Sequence, residues 1–232
     1  MTKSLRAELL IVLTLTFGIS GVRAVLNLIN SLAAPQRLDE QSVTLNSSQS
    51  SLAWVDMGLQ LCSAAVLFSY GALALFLLAK DRFVPRAHRA RDWLEGAGLA
   101  ALIGIPGLAL YFAAVQLGWS KEVIPGDFAN AWVEIPVSLL KAAANAFAEE
   151  TVVVMWLMTR LRQARWSLPA TLAASSILRG SYHLYQGVSA GFGNIIMGLI
   201  YGYYYHRTGR VWPLVIAHFL IDAVAFVGYS FL

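Results

Sequence analysis

Apolar residues run through this chain in seven long segments separated by polar breaks. They cover roughly Glu8–Ala34, Leu52–Leu78, Leu94–Leu117, Ile135–Thr159, Leu168–Gln186, Phe192–Tyr205 and Val211–Leu232. Most reach the ~20 residues that a helix needs to cross a bilayer. The sixth is short, which predicts either little tilt or a break at its Gly-rich start; Gln186 and Asn194 cap a break between segments five and six or contact a substrate backbone, the first reading being preferred. The first two are joined by a polar, Ser/Gln-rich loop, Pro35–Ser51. It holds Asn46-Ser47-Ser48, a glycosylation pattern too common to weigh.

Composition supports the same class. Of 232 residues, 58% are hydrophobic and 13% charged, where soluble domains carry about 25% charged residues. Seven spans use nearly the whole chain, so the expectation is an all-α, polytopic membrane helical bundle of about seven spans, with residues 1–232 as a single transmembrane domain. Lys3 and Arg6 before the run Leu9–Gly18 resemble a signal peptide. No small-residue cleavage site closes that run and apolar sequence continues past Arg23, so it reads as an uncleaved first span. Cys62, the sole cysteine, excludes an intrachain disulfide and reads as a packing residue.

Charge sets an orientation. With the N-terminus in the cytoplasm, the inner side receives Lys3, Arg6, the Lys80–Arg91 cluster, Arg160, Arg162, Arg165, Arg207 and Arg210; the outer loops receive Arg37 and Lys121. This bias fits the positive-inside rule and places the C-terminus outside, in a multi-pass plasma-membrane protein. The basic cluster joins two spans, so it reads as a cytoplasmic loop; lipids are the expected partner and nucleic acid is not. Trp54, Trp93, Trp119, Trp132, Trp166 and Trp212 fall near span ends as an aromatic belt, and the Tyr201–Tyr205 cluster reads as interfacial anchoring. Gly198 and Gly202 form a small-xxx-small spacing for close helix packing.

Against this background the intramembrane polar residues stand out. Lys141, Asn145 and Glu149 recur at i, i+4, i+8 on segment four, with Glu150 about 100° round the helix. Segment five carries Arg179 and His183 at i, i+4, and segment seven His218 and Asp222 at i, i+4. Ionised groups at that depth are costly unless paired or wetted, and such stripes face inward. Glu149 lies ~16 Å along a helix from Arg160, and His218 ~12 Å from Arg210, so both belong in the cytoplasmic half or near the midplane. Two acids, two histidines, an Asp and an Arg suit water activation by a carboxylate and stabilisation of an oxyanion, which is the kit for peptide hydrolysis without a covalent intermediate. Two other chemistries stay open on these residues: a zinc site at Glu149, His183 and His218, without the HExxH spacing, and a proton-coupled transporter, without an inverted repeat.

The order and spacing resemble the CPBP family of intramembrane proteases, also called the CAAX-protease or Abi family. Its pattern is Glu-Glu-x-x-x-Arg, then Phe-x-x-x-His, then His-x-x-x-Asn or Asp. The matches are Glu149-Glu150, then His183 within Leu178-Arg179-Gly180-Ser181-Tyr182-His183, then His218-Phe-Leu-Ile-Asp222. The run from Arg207-Thr208-Gly209 through Trp212-Pro213 to His218 resembles the family's Arg-Thr-Gly-x-x-Trp-Pro-x-x-x-x-His segment. The resemblance covers about Lys141–Val227, within a core of about 135–230. It implies a helical membrane endopeptidase whose site faces the cytoplasm and needs no cofactor. Its substrate would be a peptide or membrane protein, lipidated in the eukaryotic precedent. It also implies that Glu149 is the general base, that His183 positions the water, and that His218 and Asp222 lie on the oxyanion side. Glu150 would be structural, held by the family arginine.

Two positions depart from the pattern: Val154 stands where the family has arginine, and Arg179 where it has phenylalanine. One expectation is compensation, with Arg179 supplying the cation that Glu150 has lost; the rival is a catalytically inactive, immunity or partner-binding relative. Asp222 in place of Asn either donates to an oxyanion when protonated or orients His218.

Overall fold

The structure, a computed structural model, describes residues 2–124 and 131–227. It is all-α apart from one small two-stranded sheet. The helices are α1 (Lys3–Leu15), α2 (Phe17–Leu32), α3 (Ala53–Ala79), α4 (Arg91–Gln116), α5 (Ala131–Glu149), α6 (Leu157–Gln163), α7 (Leu168–His183), α8 (Val188–Thr208) and α9 (Trp212–Phe226). A π-helical stretch, Glu150–Trp156, lies between α5 and α6, and a 3-10 turn, Leu184–Gln186, follows α7. The sheet pairs β1 (Ser42–Thr44) with β2 (Glu122–Ile124). Each of the seven apolar segments thus folds as helix; the end of the seventh, 228–232, lies outside the described residues.

Among the described residues, α3 and α4 are long and apolar enough to cross a membrane, and α1 with α2, bent by 50°, forms a broken third span or a re-entrant loop. Large apolar side chains cover their outer faces, such as Phe76, Leu102 and Ile105, as befits a membrane protein in contact with lipid. Cys62 belongs to this exposed surface on α3, so it is not the packing residue expected.

Helix ends follow local chemistry. Thr2 caps α1 by accepting from Leu5 N–H at 3.2 Å, and Ser167 caps α7 by accepting from Ala170 N–H at 3.4 Å, with a proline in the first turn. The Thr-Gly-x-x-Trp-Pro run is a stop and a start. Gly209 takes the left-handed conformation (φ 63°) and donates to Tyr205 C=O at 2.7 Å, ending α8, and Pro213 opens α9. The predicted break before the sixth segment is displaced. α8 begins at Val188 and runs unbroken for 21 residues, so Asn194 sits inside it, bonded to Ala190 C=O, while the Gln186 side chain donates to Tyr185 Oη. The turn is made by Gly187 at φ 127°, where a side chain would meet Ser120; the glycine substitutes for the caps expected of Gln186 and Asn194.

The chain divides into two compact units. The first comprises residues 1–42, 105–122 and 152–210, hence α1, α2, α6, α7 and α8 with half of α4. Close packing here uses small residues: a side chain on Gly198 would lie 2.8 Å from Ser176 Cα, so α7 and α8 approach backbone to backbone. Phe17 of α2 lies against Tyr182 of α7, ring centroids 5.0 Å apart. Arg160, counted above among the inner-loop bases, is buried instead: its Nε donates to Glu8 Oε1 at 2.6 Å, and Trp156 Nε1 donates to the same oxygen at 3.0 Å.

The second unit comprises residues 43–104, 123–151 and 211–232 and holds α3, α5, α9 and the first half of α4. α5 packs against both α3 and α9. Phe147 carries both contacts, 5.8 Å from the Phe68 ring and 6.5 Å from Trp212 in a near-parallel stack. A side chain on Gly71 would meet Phe147 at 2.4 Å, so α3 can approach α5 this closely only with glycine there.

Candidate active site

The polar face of α5 forms three rungs within the second unit. At the C-terminal end, Glu149 and Glu150 are both buried, 2% and 0% exposed. His218 of α9, 3% exposed, places Nδ1 2.7 Å from Glu150 Oε1. One proton holds that bond, carried by the ring nitrogen when the carboxylate is ionised, which leaves Nε2 on the other side of the ring. There Asp222 Oδ1 lies 3.6 Å away, too long for a direct hydrogen bond.

One turn towards the N-terminus, Asn145 Nδ2 donates to Asp222 Oδ2 at 2.9 Å. Asp222 is therefore an acceptor on that side and is fixed relative to His218. A further turn on, Lys141 Nζ donates to Asn46 Oδ1 and, at 2.8 Å, to Gln60 Oε1 of α3. Asn46 in turn donates to Ser138 Oγ at 2.8 Å, and Gln60 to Ser47 C=O at 3.0 Å. The i, i+4 spacing thus put Lys141, Asn145 and Glu149 on one helix face, but the rungs turn to different neighbours.

Glu150 has a partner that sequence reasoning did not name. The imidazole of His218 bonds it directly. Asn46 and Gln60 were also missed. Asn46 lies in a polar loop in the left-handed conformation (φ 55°), and Gln60 inside an apolar span. The available signal was the lysine itself, since an ammonium on a largely apolar, packed helix needs acceptors.

The chain turns from α-helical to π-helical at Glu150. Such stretches are rare and cluster at functional sites, because the extra residue per turn re-aims neighbouring side chains.

Arg179 and His183 lie on α7 in the first unit. The Arg179 guanidinium is fully buried over the Tyr201 ring, 5.6 Å from its centroid, with Met197 Sδ 3.8 Å from Nη1. Tyr201 is therefore a core residue stacked on a cation, not an interfacial anchor; Tyr203, 52% exposed, stays on the surface. His183 is half-buried, with Nδ1 3.0 Å from Arg179 C=O and its ring against Tyr182. Donation from Nδ1 to that carbonyl directs Nε2 away from its own helix. Among the described residues no group of three or more His, Cys, Asp or Glu side chains is arranged to hold a metal ion.

Residues 130–224 match the family model described as type II CAAX prenyl endopeptidase, Rce1-like. Over this segment the chain is similar to the CAAX-protease family. The match begins at the start of α5 and ends within α9, so it spans all three rungs as well as α7 and α8. The CAAX-protease family is a family of hydrolases, and the α-helical membrane fold expected from it is the fold observed. No curated relative and no solved structure matches the chain.

Proposed function

We propose that this protein is an intramembrane endopeptidase that hydrolyses a peptide bond with a carboxylate-activated water, its site opening to the cytoplasm. The observation that carries this reading is the CAAX-protease match over the stretch in which Glu149 and Glu150 are buried and Glu150 is bonded to His218.

In this reading Glu149 takes a proton from water as the oxygen attacks the scissile carbonyl carbon, and His183 positions that water. The carbonyl oxygen becomes an oxyanion, held by His218, whose ring is fixed by Glu150 at Nδ1 and flanked by Asp222 at Nε2. Collapse of the tetrahedral intermediate breaks the carbon–nitrogen bond, and the proton held by Glu149 passes to the leaving amine. Asp222, an acceptor from Asn145, serves to orient His218. The substrate is a membrane-associated peptide or protein of the kind named in the family description, a CAAX tail bearing a prenyl group.

A second reading is a partner-binding protein of the same fold without hydrolysis. Val154, fully buried in place of the family arginine, favours it.

Purified protein in detergent, given an S-prenylated peptide ending in Cys and three more residues, separates the two. Hydrolysis lost by about 10²–10⁴-fold in Glu149→Gln, and likewise reduced in His183→Ala, supports the endopeptidase. A wild-type protein that binds the peptide and leaves it intact supports the second reading.

A further inference from the structure

The first unit holds a groove that the chemistry above does not use. It lies between α6, the start of α7 and the end of α8, and its volume is about 450 Å³, within the range of small-molecule sites. Gly202 brings the three helices together: a side chain there would meet Leu172 of α7 at 2.8 Å and Met158 Sδ of α6 at 3.3 Å. One turn further along α8, Tyr205 and His206 line the groove, together with Met158 and Arg162 of α6 and Leu168 of α7.

This lining has two chemistries. Met158 and Tyr205 are buried and, with Leu168, supply apolar surface. Arg162 and His206 are exposed and supply a basic edge. Arg162 Nη1 donates to Trp166 C=O at 3.3 Å, which uses one of the five donors of its guanidinium. Among the described residues neither Arg162 nor His206 forms an ion pair. The sequence says why: residues 151–210 contain six arginines and no aspartate or glutamate. Glu8 of α1 brings a carboxylate to Arg160. Arg165, three residues past Arg162, and Arg207, beside His206, add exposed cations that likewise form no ion pair among the described residues. The counter-charge of this end of the unit therefore comes from outside the chain.

The lining says which anion. A guanidinium fork matches the oxygens of a phosphate. Apolar surface beside it suits a phosphate that carries a hydrocarbon body. The groove also sits where apolar segments four and six end and segment five begins, and Trp166 there is 44% exposed, as an aromatic at headgroup level is. Basic pockets between helices at that level take lipid headgroups. We infer that the groove binds the phosphodiester of an anionic phospholipid, with Arg162 and an N–H of His206 on the phosphate and Met158, Leu168 and Tyr205 against the glycerol backbone and first methylenes. The site is separate from Glu149 and does not depend on hydrolysis.

The test is native mass spectrometry of the full chain in neutral detergent, titrated with dioleoyl phosphatidylglycerol, dioleoyl phosphatidylcholine or glycerol phosphate. Wild type should bind a single phosphatidylglycerol about tenfold to a hundredfold more tightly than phosphatidylcholine, whose choline cancels the charge, the range for a charge-assisted contact. Arg162→Gln should remove most of that preference and Arg162→Lys should keep part of it. Leu168→Trp, which fills the groove and leaves the charges in place, should weaken phosphatidylglycerol by a similar factor. Arg165→Gln, which removes a neighbouring charge outside the groove, should leave binding within about threefold of wild type. The ratio between the two lipids does not depend on how much protein folds. Equal binding of the two lipids, or a preference that survives both Arg162→Gln and Leu168→Trp, would overturn the site. Equal losses in Arg162→Gln and Arg165→Gln would overturn it as well, since they mark diffuse attraction to a basic surface. Glycerol phosphate bound as tightly as the lipid would overturn the lipid assignment in favour of a soluble phosphate ester.

Discussion

The imidazole of His218 and the carboxylate of Glu150 meet at 2.7 Å with both side chains closed off from solvent. They come from α9 and from the first residue after α5, 68 positions apart in the chain. Removing one partner of such a pair takes from the other a hydrogen bond that is costly to lose in a buried site. Glu150→Ala and His218→Ala should each destabilise the protein by about 3–5 kcal/mol. The double variant should cost less than the sum, by about 1–3 kcal/mol, when unfolding is followed in detergent. Additive losses would mean that the contact contributes nothing of its own.

Asn145 and Asp222 give a second test, of orientation. Asp222→Asn keeps an oxygen for the Asn145 amide and should retain hydrolysis to within about tenfold. Asn145→Leu leaves Asp222 Oδ2 without that donor and should cost about 1–3 kcal/mol. Steady-state kinetics together with thermal melts distinguish the two variants. If Asp222→Asn raises the rate markedly, donation to the oxyanion, not orientation of His218, is the task of this position.

Glu8 is the shared acceptor of Arg160 and Trp156 in the first unit. Glu8→Ala should therefore lower stability by about 3 kcal/mol, since it removes the carboxylate that the buried Arg160 and Trp156 share. Glu8→Gln, which still offers an oxygen, should cost clearly less. Equal melting temperatures for Glu8→Ala and wild type would show that Arg160 finds other acceptors.

Two glycine substitutions separate packing from helix propensity. Gly198→Ala puts a methyl 2.8 Å from Ser176 Cα, a backbone atom that cannot swing aside, and should destabilise by about 1–3 kcal/mol. Gly58→Ala, on α3 with nothing within 4 Å of the new Cβ, should be neutral or stabilise by up to about 1 kcal/mol. The opposite signs are read from the same thermal melt. A Gly198→Ala protein as stable as wild type would show that α7 and α8 separate easily.

Much of the architecture was legible because local rules decide it. The seven apolar segments become helices, Gly209 ends one and Pro213 opens the next. Misreadings occurred where neighbours distant in sequence decide. Tyr201 has the composition of an interfacial anchor, but α7 brings the Arg179 guanidinium over its ring. Arg160 sits in a basic run, but α1 brings it Glu8. Cys62 looks like any small core residue, and it faces outward because α3 turns its other side to α5.

The same division holds in the candidate site. Spacing by itself placed Glu149, His218 and Asp222 on defined polar faces of apolar helices, because a helix repeats every 3.6 residues wherever it is placed. It also determined that buried charges there demand partners. Only the tertiary structure decided which partners these are: Glu150 for His218, Asn145 for Asp222, Asn46 and Gln60 for Lys141. Helix periodicity says which side of a helix is polar. Which helix lies against that side depends on the packing of segments tens of residues apart, and no local pattern encodes it.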